Sequence, residues 1–106
     1  MTSVERPRPR ELVRRERDRI VAFLATRGAR DVRIFESVAR DEDDEQSDID
    51  LLVEFEAERS TGGELLALLG LSEELSTLLG GRVNVVTSRT LRPDVRERAL
   101  AEAVPL

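Results

Sequence analysis

Two carboxylates one residue apart, Asp48 and Asp50, open the most hydrophobic short run of the chain, Ile49 to Val53 closed by Phe55. The run reads as a central β-strand. Side chains alternate faces along a strand, so Asp48 and Asp50 share one side while Ile49 and Leu51 take the other. Their Cα atoms then lie roughly 6.6 Å apart, and both side chains can reach one divalent cation at about 2.1 Å. Two anions on a half-buried strand repel, and a bound cation is the common way to offset that. On spacing alone, the pair equally fits two solvent-facing residues of an edge strand.

Composition narrows which cation and which chemistry. The 106 residues contain no Cys and no His, which removes disulfides, thiol nucleophiles, imidazole bases and Cys- or His-ligated zinc. Oxygen ligands remain, and they suit hard ions such as Mg²⁺ or Mn²⁺. There is no Trp or Tyr and Phe occurs only 3 times, too few rings for a base-stacking platform. The net charge of −5 hides an asymmetry. Residues 1–33 carry 10 Arg against 5 acids, residues 34–64 carry 12 acids against 2 Arg, and the rest balances at 5 and 5. The acidic middle is where a cation would gather.

The elements that must position the pair follow from the pattern. The length implies a single domain spanning 1–106, with 1–10, which hold Pro7 and Pro9, as a frayed arm. Apolar positions from Leu12 to Leu24 predict an amphipathic helix from Glu11 to about Arg27, ended by Gly28. Val32 to Phe35 follows as a short strand. Residues 36 to 47 read as an acidic loop, with one helical turn around Val38 to Arg40. After the central strand, Thr61 and Glu64 fit a capping box opening a leucine-rich helix from Gly62 to Leu79, stopped by Gly80 and Gly81. Val83 to Val86 predicts a third strand, and Pro93 opens a last helix to about Ala103. This order implies an α/β fold, a small mixed sheet flanked by helices. No apolar run approaches the length of a membrane span and no signal-peptide stretch is visible, so the expected location is cytoplasmic.

These segments, taken together, resemble a known family. Val32 to Phe35 leads into Ser37-Val38-Ala39-Arg40, and 10 residues separate Ser37 from Asp48-Ile49-Asp50-Leu51-Leu52-Val53. Gly81-Arg82-Val83-Asn84-Val85-Val86-Thr87 follows, and the chain closes on Glu102-Ala103-Val104-Pro105-Leu106. The set is similar to the nucleotidyltransferase signature of the DNA polymerase β superfamily, and within it to the minimal nucleotidyltransferase (MNT) domains, many of which are antitoxins paired with HEPN-domain toxins. The resemblance covers the chain from about residue 11 onward. It implies the polymerase β-like nucleotidyltransferase fold, Asp48 and Asp50 as ligands of Mg²⁺ or Mn²⁺, and Ser37 as a contact to the phosphates of ATP. It also implies transfer of AMP to a tyrosine of the partner toxin, which must be on another chain because this one has no Tyr.

Two positions depart from the family pattern. Glu36 replaces the Gly before the Ser, adding bulk and charge where a backbone should approach phosphate. Asn84 replaces a third Asp; it can ligate through its carbonyl oxygen but cannot take a proton from an attacking hydroxyl. Glu36 either weakens nucleotide binding or supplies the carboxylate lost at Asn84. The rival to catalysis is therefore an impaired nucleotidyltransferase fold that neutralises its toxin by binding alone. A third reading, AMP transfer to an antibiotic, fits poorly because such enzymes need an added domain to hold the acceptor.

Other charged and apolar groups have bland readings beside sharper ones. Arg40 fits a bidentate phosphate contact and a surface ion pair about equally. The acidic run Asp41 to Glu45 reads first as a solvated loop. Arg14, Arg15, Arg17 and Arg19 suit a solvated or partner-facing helix better than RNA binding, given the overall acidity and missing aromatics. Leucines between Leu65 and Leu79 exceed what one helix stripe needs, and the surplus suits a toxin or homodimer interface.

Overall fold

The computed structural model describes residues 9–35, 48–57 and 60–106. Helices α1 (Pro9–Arg15) and α2 (Arg17–Thr26) stand where one helix was expected. Only Glu16, at φ −102° and ψ 12°, interrupts them. Hydrogen bonds from Glu16 N to Leu12 O and from Ile20 N to Glu16 O bridge the break, so Val13, Ile20 and Leu24 still bury together. Gly28 takes φ +75°, a left-handed torsion that costs a residue without Cβ little, and the chain turns directly into strand β1 (Ala29–Phe35).

Strand β1 starts three residues earlier than alternation predicted, because its first half is irregular. Asp31 has φ 53° and the pairing register shifts between Arg30 and Arg33, leaving Arg30 and Asp31 exposed with no period-two signal. Strand β2 (Ile49–Phe55) pairs antiparallel with β1 and parallel with β3 (Val83–Val86). Strand β4 (Val104–Pro105) was not anticipated. It pairs with β1 at the far edge, completing the order β3-β2-β1-β4. Two residues carry no readable periodicity, and proline is tolerated at a sheet edge.

β2 is buried on both faces, as its continuous apolar run requires. Ile49, Leu51 and Val53 join Ile20, Leu24, Leu75 and Val85 in the main core. On the opposite face, Leu52 packs with Phe35 and with Ala99 of helix α4 (Pro93–Glu102).

Helix α3 (Thr61–Leu79) corrects the expected capping box. Its N-cap is Ser60, whose hydroxyl accepts from Gly63 N at 3.1 Å. Glu64 lies one residue too deep to reach back to the cap, and is instead buried, accepting from the Thr87 hydroxyl at 2.9 Å beyond the end of β3. α3 also closes the open edge of the sheet. Val83 N and Val85 N, which face away from β2, donate to the hydroxyls of Ser76 and Ser72, both at 2.9 Å. Four residues of helix rise about 6 Å and two residues of strand about 6.6 Å, so the serine spacing matches the strand's. An unpaired edge is thereby covered, and β3 is held in place along its length. The leucine surplus is real: Leu65, Leu66 and Leu69 are exposed.

Candidate active site

The sheet brings the two carboxylates and the asparagine together. Asp48 sits immediately before β2 and Asp50 is its second residue, so both project to the face that carries Leu52. Leu52 is buried beneath Ala99, whereas Asp48 and Asp50 are only half-buried. Parallel pairing sets Asp50 opposite Asn84. The Asn84 amide nitrogen then donates to Asp48 Oδ2 at 3.4 Å and to Asp50 Oδ1 at 3.3 Å. Two carboxylates therefore converge on one electropositive group, and the alternative of two unrelated solvent-facing acids does not describe them.

Arg82 was not singled out from the sequence. Its carbonyl accepts from Ile49 N at 2.9 Å, and its Nε lies 3.8 Å from Asp48 Oδ1. With the Arg82 side chain 77% exposed, that ion pair adds little stability. Its value is to place positive charge at the rim. The only hint in the sequence was its place at the start of a strand that must pair beside Asp48.

The donor set suits a hard cation. It consists of carboxylate oxygens with no sulfur or imidazole, aimed at a common point. Among the described residues no group of three or more acidic, His or Cys side chains assembles, so the chain offers two carboxylates and Asn84. Turning the Asn84 amide over would exchange its NH₂ for its carbonyl oxygen and add one neutral ligand to the two carboxylates. Mg²⁺ usually accepts such a sparse protein set because phosphates and water fill its remaining positions. Asp48, Asp50 and Asn84 are thus the residues that would hold it.

Asn84→Asp tests that fit. Replacing the shared donor by a third anion loses two hydrogen bonds and adds two repulsions, each on the order of 1 kcal/mol at an exposed site. The variant is expected to melt several degrees below wild type without divalent ions, and to regain most of that difference on adding Mg²⁺. A Mg²⁺-insensitive melting temperature would count against a cation between these carboxylates.

Glu36, Ser37 and Arg40, together with the acidic run Asp41 to Glu45, lie outside the described residues. What the structure gives is their starting point, since Phe35 pairs with Asp50 and the chain continues from there towards Ser37.

Comparison with known proteins identifies the family of the chain. The profile of the nucleotidyltransferase domain matches residues 17–106. A candidate protein adenylyltransferase of Methanocaldococcus jannaschii is 42% identical over 86 residues, covering 81% of this chain and 88% of that protein. The protein adenylyltransferase MntA of Thermococcus cleftensis is 39% identical over 77 residues, covering 73% and 74%. A solved candidate minimal nucleotidyltransferase, 45% identical, superposes with a TM-score of 0.74 over 92% of this chain and 95% of its own. A toxin-antitoxin complex crystallised with AMP-PNP shares the fold at a TM-score of 0.69 and 18% identity, over 83% of this chain and 69% of that one. With the profile spanning the acidic pair, the sheet and α4 alike, the chain belongs to the nucleotidyltransferase domain family.

Proposed function

We propose that this protein is an antitoxin that transfers AMP from ATP to a tyrosine of a HEPN-family ribonuclease toxin, with Asp48 and Asp50 at the reacting phosphate. The convergence of both carboxylates on one point carries the reading. Two relatives bearing the adenylyltransferase name, at 42% and 39% identity, support it over neutralisation by binding alone. Asp48 and Asp50 would hold Mg²⁺ or Mn²⁺, and Ser37 and Arg40 would contact the phosphates. A cation bound there would supply positive charge to balance the phosphates and the departing pyrophosphate. The acceptor oxygen bonds to the α-phosphorus, the bond from that phosphorus to the pyrophosphate oxygen breaks, and the hydroxyl proton passes to solvent. Asn84 orients the carboxylates and takes no proton. ATP as donor suits a cytoplasmic reaction. No helix among the described residues is long and apolar enough to cross a membrane. The working assembly is a hetero-oligomer with the toxin, with the exposed leucines of α3 as a contact surface for the toxin or for a second copy.

Incubation with ATP, Mg²⁺ and its HEPN-family toxin should add one or more AMP masses to that partner. A partner of unchanged mass, under conditions where the Thermococcus relative is active, would sink the proposal.

A further inference from the structure

Building on the AMP-transfer reading above, we propose that the open depression beside Asn84, lined by Ser72, Glu73, Ser76, Thr77 and Arg82, seats the acceptor-bearing segment of the partner protein. Phe35, Asp50 and Asn84 stand in one row across β1, β2 and β3, each the register partner of the next. The chain leading to Ser37 departs from the β1 end of that row. The depression opens at the β3 end, where Asn84 both touches the two carboxylates and forms part of the wall. In-line displacement puts the entering oxygen and the departing pyrophosphate on opposite sides of the transferred phosphorus. On the proposal that Ser37 contacts the phosphates, these gather towards β1 and the entering hydroxyl comes from β3.

The depression's size and lining fit a peptide better than a nucleobase. Its volume of about 670 Å³ exceeds what one side chain fills, and it is open to solvent. No aromatic ring lines it, so adenine has nothing to stack on. Ser72 and Ser76 already serve the β3 amides, which makes that wall a fixed part of the sheet. Glu73, Thr77 and Arg82 are exposed and available to a partner. Glu73 and Arg82 carry opposite charges, so the lining favours a segment that presents the complementary pair. Arg82 holds positive charge between this entry path and Asp48. Acceptor oxygen and α-phosphorus join, pyrophosphate departs with its bridging oxygen, and solvent takes the hydroxyl proton, so no further reactant is consumed.

Steady-state transfer to the toxin partner of the proposed function, measured beside Mg-ATP binding, tests the assignment. Thr77→Trp fills the depression and should raise KM for the protein acceptor about tenfold or more, while kcat at saturation falls much less and ATP affinity stays within about twofold. Glu73→Arg, at an exposed position, should act in the same direction and stands in if the Trp variant folds poorly. Arg82→Lys should keep a larger part of wild-type transfer than Arg82→Gln. An unchanged acceptor KM in a folded Thr77→Trp or Glu73→Arg protein, or a loss of ATP affinity as large as the loss of transfer, overturns the assignment and leaves AMP transfer standing. A wild-type protein that binds Mg-ATP and transfers no AMP overturns both.

Discussion

Asp48→Ala and Asp50→Ala are each expected to lower AMP transfer at least about a thousandfold while the protein stays folded. The two halves of that expectation have one cause. Carboxylates aimed at a single point are useful to a cation and unfavourable to each other. At about 4 Å the repulsion amounts to roughly 1 kcal/mol in water and roughly 4 kcal/mol at an effective dielectric near 20. Asp48, with its side chain 36% exposed, belongs nearer the lower figure. Removing it forfeits one hydrogen bond from Asn84 and the rim contact with Arg82, and relieves a comparable repulsion. The melting temperature should therefore move by no more than a few degrees, whereas transfer should all but vanish. Transfer by a folded Asp48→Ala or Asp50→Ala protein at even a tenth of the wild-type rate would remove the pair from the chemistry. Toxin assays with Asp48→Ala also separate the enzyme from the pure binder: an enzyme loses neutralisation, and a protein acting by occlusion keeps it.

Much of this site was legible before any coordinates, because alternation along a strand is a hard constraint. Once Ile49 to Phe55 is a strand, Asp48 and Asp50 must share a face, and the structure puts them there. That Asn84 would meet both was legible only through family resemblance, since parallel pairing of β2 with β3 joins residues far apart in sequence. Arg82 and the Ser72 and Ser76 bonds to β3 were missed for the same reason: a serine inside a leucine-rich helix reads as a neutral surface residue until the strand edge it serves is known. The displaced cap has a different origin. Thr61 with Glu64 three residues on has the spacing of a capping box, but burial beside Thr87 commits that carboxylate elsewhere and Ser60 serves as the cap. Strand β4 was hidden by brevity alone.

Glu36→Gly should tighten Mg-ATP binding at least tenfold. The position directly follows in sequence Phe35, whose Cα is paired with Asp50. A third negative charge so placed opposes a triphosphate, and a repulsion of 1.4 kcal/mol already corresponds to about tenfold in affinity. Gly also restores the torsional freedom that a backbone needs to approach phosphate closely. Glu36→Gln separates the two causes by removing the charge and keeping the bulk. If charge dominates, Gln recovers most of the gain, and the gain shrinks as salt is raised. If backbone freedom dominates, only Gly recovers it and salt matters little. Calorimetric titration of the three proteins with Mg-ATP reads all of this. Equal affinity throughout would show that residue 36 stands clear of the nucleotide. Weaker binding and slower transfer by Glu36→Gly would mean that its carboxylate supplies what Asn84 lacks, turning the departure at residue 36 from an obstacle into the missing third acid.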